Sequence, residues 1–316
     1  MPALVTGCAG FIGSHLTESL LQDGEAVLGV DCFNDNYGRR QKLHNVERCR
    51  NWENFDFVPI DLTRGDLADV VDECGVIFHL AAEPGVRSSW GDRFEAYLRN
   101  NVLATQHLLE AASMAPEKRF VFASSSSIYG QAARFPTAET TVPQPFSPYG
   151  TTKLDAEHLC HMYYANHGVR TVILRYFSVY GPRQRPDMAF DIFCRAALGG
   201  EPITVFGDGE QRRDFTFVGD VVAATRAAAL RDEVIGRTYN IGGGSQASVN
   251  QALELISELS GRQLNVRHLG WQRGDVRETG ADITQARADL AFEPRTPIPE
   301  GLRAQFEWVQ SEAMAT

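Results

Sequence analysis

The apolar residues in the first half of the chain come in short, unbroken runs. Ala3–Thr6 leads into Gly7, Ala26–Val30 into Asp31, Phe57–Ile60 into Asp61, and Val76–Leu80 into Ala81. Phe120–Ala123 then leads into four serines, and Thr171–Leu174 into Arg175-Tyr176. A strand with one wet face would alternate apolar and polar residues, so unbroken runs of this length belong to strands buried on both faces. Amphipathic stretches such as Asn101–Ala112 and Thr151–Asn166 separate them. This alternation predicts an α/β fold, a doubly wound parallel sheet with helices on both faces. Functional residues in such a sheet gather at the carboxyl ends of the strands.

The first run enters Gly7-Cys8-Ala9-Gly10-Phe11-Ile12-Gly13, and a helical pattern follows to about Leu21. Glycines so spaced permit a tight turn, close approach of backbone to a pyrophosphate, and close packing of helix on sheet. The helix N-terminus adds free N–H donors and the positive end of its dipole. Asp31 ends the second run, where a carboxylate accepts hydrogen bonds from an adenosine ribose and repels a 2′-phosphate. The pattern therefore predicts a Rossmann-type site for NAD rather than NADP. Beyond Tyr180 the segments shorten and Gly-Pro and Asp-Gly punctuation appears (Gly181-Pro182, Gly207-Asp208-Gly209). The expected division is residues 1–178 for NAD and 179–316 for a smaller α/β substrate lobe that returns an element to the first sheet.

A formal net charge of −10 argues against a nucleic-acid or anionic-membrane surface. No apolar run approaches the ~18 residues of a membrane span. The six cysteines show no C-x-x-C pair or metal-ligand spacing, and no metal site is expected. They read as buried free thiols, and with no signal-peptide pattern before the first run the expected location is the cytoplasm.

Tyr149 and Lys153 lie four residues apart in a chain with only three lysines, and on a helix they share one face. An ammonium held near a phenol favours the phenolate and lowers a pKa that starts near ~10, a route to a general base.

Taken together, Gly7/Gly10/Gly13, Asp31, His79-Leu80-Ala81-Ala82, the serines before Tyr129-Gly130, and Tyr149/Lys153 resemble the extended short-chain dehydrogenase/reductase superfamily. The resemblance is to its nucleotide-sugar epimerase and dehydratase branch and covers essentially the whole chain. Arg175-Tyr176-Phe177-Ser178-Val179-Tyr180-Gly181-Pro182-Arg183 and Arg213-Asp214-Phe215 look like that branch's second-lobe motifs. It implies Tyr149 as base, Lys153 as its partner and a ribose contact, and Ser125 as hydrogen-bond partner of the reacting hydroxyl. It further implies an NAD site lined by Phe11, Ile12, Asn34, Asp61, Leu62, Leu80, Ala81, Ala82, Asn100 and Tyr176. For the substrate it implies Arg213 at a diphosphate, Phe206 near uracil, and Arg273 as a second candidate for the diphosphate. A homodimer through the Asn101–Ala112 and Thr151–Asn166 helices is the branch's expectation.

The triplet beginning at Ser125 selects the reaction. Relatives that eliminate water resemble one another in carrying Thr-Asp-Glu there, and UDP-glucuronate decarboxylases carry a glutamate third. Here Ser125-Ser126-Ser127 offers no carboxyl group to shuttle protons, so redox epimerisation fits better than dehydration. Glu83-Pro84-Gly85-Val86-Arg87-Ser88-Ser89-Trp90 and Gly181-Pro182-Arg183-Gln184-Arg185-Pro186-Asp187-Met188-Ala189 resemble the UDP-glucuronate 4-epimerase pattern. So does Asp31-Cys32-Phe33-Asn34-Asp35-Asn36-Tyr37. The physical content is Arg185, whose guanidinium can hold a sugar carboxylate by two charge-assisted bonds. Arg87 is expected to assist, with Gly85, Ser126, Ser178 and Ala189 also at the substrate. Ser178, where many relatives carry Asn, leaves room for the sugar acid. The competing expectations are a UDP-glucose 4-epimerase, a UDP-glucuronate decarboxylase, and a module that binds NAD without catalysis.

Overall fold

A computed structural model of the chain describes residues 1–34, 38–272 and 274–314. Its centre is a parallel sheet of β1 (Ala3–Thr6), β2 (Val27–Val30), β3 (Phe55–Val58), β4 (Val76–His79), β5 (Arg119–Ser125), β6 (Arg170–Tyr176) and β7 (Thr238–Ile241). The spatial order is β7-β6-β5-β4-β1-β2-β3. The order reverses beside β1, so a crevice opens where β1, β2 and β4 end. Leu4 and Val5 show why the runs are unbroken. Neighbouring residues of a strand face opposite ways, and both are fully buried, Val5 with Leu16 and Leu20, Leu4 with Leu108 and Leu109. Each such side chain contributes roughly 1.5–3 kcal/mol by leaving water.

The layer on the Val5 side contains α1 (Phe11–Gln22), and the opposite layer contains α3 (Ala104–Ser113) and α4 (Pro148–His167); α2 (Arg39–Cys49) follows β2. Helix α4 starts where the sequence tells it to. The Ser147 hydroxyl accepts from Gly150 N at 3.1 Å, Pro148 occupies the first turn, and Gly168 ends the helix at φ 73°. The helix expected over Asn101–Ala112 starts earlier, at Phe94, and passes through a π-helical turn at Leu98–Leu103 before continuing as α3. Such insertions are common at functional sites.

The chain leaves the sheet after Tyr176 and comes back. Helix α5 (Val218–Leu230) packs against α1, and β7 pairs in parallel with β6. The rest of the second half has its own core, with Phe190, Phe193, Leu253, Ile256, Leu302 and Phe306 buried among three helices, Ala189–Gly199, Val249–Ser260 and Ile298–Met314. All six cysteines are free, and only Cys32 is exposed. Among the described residues no helix is long and apolar enough to cross a membrane, and no group of side chains could hold a metal ion.

One buried ion pair fastens α4 to the sheet. Arg175 on β6 reaches Glu157 on α4 with Nη2–Oε2 at 2.7 Å and Nε–Oε1 at 3.0 Å, and its Nη1 donates to the Tyr129 hydroxyl at 2.7 Å. Removing one partner strands the other charge in the interior. Glu157→Ala is expected to cost about 3–5 kcal/mol in urea unfolding; a loss below about 1 kcal/mol would contradict this placement.

Candidate active site

The crevice is a cleft walled by the ends of β1, β2 and β4 and by the start of α4. Its floor depends on missing side chains. A Cβ on Gly13 would lie 2.1 Å from the Gly7 oxygen, and one on Gly7, whose φ is +73°, would lie 2.8 Å from Ala81 N. Helix α1 thus packs closely on the tip of β1 and the glycine loop on the tip of β4, and Gly10 at the helix start provides no side-chain cap. The first-turn N–H groups are left to a ligand, and the cradle fits a pyrophosphate. Phe11, Ile12, Leu62, Leu80, Ala82 and Asn100 line the same cleft.

Asp31 lies on the cleft wall at the end of β2, and its Oδ1 accepts from Phe33 N at 2.8 Å. Burial raises its pKa while nearby Lys42 opposes the rise. Burial pushes the Asp61 carboxyl up as well, but hydrogen bonds from Thr63 outweigh it and hold the group below its ordinary range. Tyr176 lines the cleft with its hydroxyl turned away, 2.7 Å from Thr225 Oγ1. Lys42, Pro84 and Ser124 also line it, and the sequence reading missed all three. For Lys42 a signal existed, since it is one of only three lysines and falls in the segment after Asp31.

Tyr149 and Lys153 both face this cleft from the first turns of α4. The Tyr149 hydroxyl bonds with Ser125, and its ring meets Tyr97 edge to face at 6.2 Å. The electrostatics differ from expectation. Burial raises the Tyr149 pKa, and the Ser125 bond and the Arg185 charge only partly oppose this. Lys153 does not lower the phenol here because its ammonium is turned to β5. It donates to Ala123 O at 2.8 Å and sits 4.8 Å over the Phe122 ring. Ser125 also bonds Ser127 Oγ at 3.1 Å, Ser126 is half-buried beside it, and the half-buried Ser178 follows β6.

Arg185 lines the cleft and is already engaged. Its Nε and Nη2 each lie 3.0 Å from the Asp187 carboxylate. Arg87 is not brought to it, which corrects the expected assistance. Arg87 instead forms a two-bond pair with Asp275, Nη2–Oδ2 2.7 Å, and covers the Phe206 ring at 4.4 Å. The reason is reach: the loop after β4 turns this side chain toward the second lobe. Arg213 belongs to the same group, donating to Val276 O at 2.6 Å, with burial lowering its pKa and Asp275 opposing. Asp275, at the centre of that group, was missed in the sequence. Gly85, at φ 107°, offers its carbonyl to the Tyr97 hydroxyl at 2.9 Å, and Ala189 is exposed at the start of its helix. Arg273 and the Asp35–Tyr37 part of the loop after β2 lie outside the described residues.

Residues 3–242 match the model of the NAD dependent epimerase/dehydratase family. The chain belongs to this family. Its cofactor is NAD, as the cleft anticipates. Among family members, the uncharacterized UDP-glucose epimerase YtcB of Bacillus subtilis is 44% identical over 98% of both chains. The UDP-glucuronate 4-epimerase of Thermodesulfobacterium geofontis is 39% identical over 96% of this chain and 95% of its own. The crystal structure of UDP-glucuronic acid 4-epimerase from Bacillus cereus with UDP-glucuronic acid and NAD superposes with a TM-score of 0.96. It is 41% identical, and the match covers 99% of this chain and 100% of that one.

Lys153 makes a stability prediction. Burial lowers its pKa from 10.5 to about 8. Between those values the unfolded chain holds a proton that the folded chain has released, so stability rises as pH climbs from about 8 to 10.5. The parent should gain about 3 kcal/mol relative to Lys153→Met over that window in urea unfolding. An unchanged difference would place the ammonium in water.

Proposed function

We propose that this chain interconverts UDP-glucuronate and UDP-galacturonate by oxidising C4 and reducing it again from the other face. Residues 1–178 would hold NAD, and 179–316, less the strand and helix returned to the sheet, the UDP-sugar. The observation that carries the substrate is Arg185, lining the cleft close enough for its charge to draw down the Tyr149 phenol. The likeness to the Bacillus cereus enzyme supports the same reading.

NAD, when bound, supplies the acceptor and then the donor of one hydride. Tyr149 Oη, ionised to the phenolate that the Ser125 bond and the Arg185 charge favour, would take the C4 hydroxyl proton as C4 becomes a carbonyl and return it on reduction, while Ser125 holds the oxygen between them. Lys153 has three N–H donors, so beyond Ala123 O it can meet a ribose hydroxyl. Arg213, Phe206 and Arg87 anchor the nucleotide end while the 4-keto ring turns over. No net oxidation results.

The 4-keto sugar acid is a β-keto acid and loses CO₂ when the C5–carboxylate bond lies parallel to the carbonyl π system. Arg185, exchanging Asp187 for the sugar carboxylate, and Ser178 hold the group out of that alignment. The Ser125-Ser126-Ser127 triplet, without a carboxyl group, favours epimerisation over decarboxylation, and Tyr149 and Lys153 in the cleft, with Ser125 beside the tyrosine, disfavour a merely NAD-binding role. The specific observation favouring UDP-glucose as an alternative substrate is the Arg185–Asp187 pair, which leaves no guanidinium free for a carboxylate until it opens. A cytoplasmic homodimer belongs to the same proposal, with Leu98, Leu103, Met162 and Tyr164 exposed around α3 and α4 as contact surface.

Arg185→Ala is expected to lower UDP-glucuronate turnover about 30- to 100-fold and to release CO₂ with a UDP-4-keto-pentose. Parental turnover of UDP-glucuronate in this variant would refute the clamp. Tyr149→Phe is expected to cost on the order of 10²- to 10⁴-fold in kcat; a loss below tenfold would remove Tyr149 as the base.

A further inference from the structure

Asn34 and Glu83 stand on opposite sides of the first strand. Asn34 follows β2, Glu83 follows β4, and β1 runs between those two strands. Yet Asn34 Nδ2 donates to Glu83 Oε2 at 3.2 Å. A bond between these positions has to pass the end of β1, where the glycine loop meets the α1 N-terminus. Asn34, Ala82 and Pro84 line the same cleft as Gly7 and Gly10. We propose that the Asn34–Glu83 bond is a strap across the dinucleotide cleft and sets how slowly NAD leaves.

Both ends of the strap are fastened. Glu83 is buried, its N–H donates to Asn101 Oδ1 at 2.6 Å, and its carbonyl accepts from Asn101 Nδ2 at 3.0 Å. Asn101 also donates to Thr152 Oγ1 on α4 at 3.0 Å, so the post is rooted in the helix that carries Tyr149. The second carboxylate oxygen accepts from Arg93 Nη2 at 2.9 Å. On the other side, Lys42 Nζ donates to the Asn34 carbonyl at 2.8 Å and to its side-chain oxygen. Lysine only donates and a carboxylate only accepts, so the amide can face just one way, oxygen to Lys42 and nitrogen to Glu83. The run Lys42, Asn34, Glu83, Arg93 is therefore consistent in every donor and acceptor. Its two cations also offset the carboxylate that the strap brings near the pyrophosphate cradle.

An epimerase that oxidises and reduces the same carbon has no need to exchange its cofactor in each cycle. A strap that must open for exit slows release without opposing the chemistry. The inference rests on NAD lying in this cleft and not on which sugar is turned over.

The test measures release directly. The full chain is loaded with radiolabelled NAD, diluted into excess unlabelled NAD, and the retained label is followed with time. Glu83→Ala and Asn34→Ala should each speed release roughly 10- to 100-fold, the worth of one hydrogen bond to a charged group. The double variant should be no faster than the faster single one, because all three lose the same bond. Glu83→Gln keeps an acceptor oxygen for Asn34 and should stay within about threefold of the parent. Asn34→Ala, on a loop, carries the test if Glu83→Ala does not fold. The strap is refuted if Asn34→Ala releases NAD at the parental rate, if the two effects multiply, or if Glu83→Gln releases as fast as Glu83→Ala.

Discussion

The contact on which the site depends is one between backbones. Helix α1 lies so near the tip of β1, and the glycine loop so near the tip of β4, that a methyl group on Gly13 or on Gly7 would collide with main-chain atoms. This approach aims the α1 N-terminus into the crevice and lets a pyrophosphate rest on N–H groups instead of a positive side chain. It also fixes where everything else sits. Asp31 ends the strand on one side, Leu80 and Ala81 follow the strand on the other, and Tyr149 and Lys153 enter from α4 over β5. A chain with a net charge of −10 can hold an anionic cofactor because the charge is met locally by helix dipole and amide donors.

The features legible in the sequence are those in which residue type and local spacing carry the physics. Three glycines at fixed intervals, an acid at the next strand end and a Tyr/Lys pair one helical turn apart each have a short-range meaning. Most of the unbroken apolar runs likewise announced strands covered on both faces, but the third is displaced, because the edge strand β3 spans Phe55–Val58 with Asp56 exposed. What stayed hidden depends on partners far apart in sequence. Asn34 finds Glu83 across 49 residues, and Arg87 finds Asp275 across 188. No pattern within either segment announces such a pairing. The π-helical turn at Leu98–Leu103 was hidden for another reason, since its composition suits an ordinary helix equally well.

The same limit explains the altered picture of the tyrosine. Spacing puts Lys153 on the Tyr149 face but does not fix where a four-carbon stem ends. The nearest strong acceptor is Ala123 O, and the ammonium takes it. The protein's cations are similarly committed elsewhere. Arg185 holds Asp187 and Arg87 holds Asp275, each through two bonds. If these arginines meet the substrate as proposed, its carboxylate or diphosphate would exchange with an internal carboxylate, which favours ligands able to offer two oxygens in one plane or cluster.

The central claim is a closed redox cycle at one carbon, run by Tyr149 in a cleft that keeps the sugar carboxylate intact. Its most direct test is to incubate the purified chain with UDP-glucuronate deuterated at C4 and follow the products by NMR. The account predicts UDP-galacturonate with the deuterium retained at C4 and no pentose. Deuterium lost to solvent, a pentose product, or no epimer at all would contradict it.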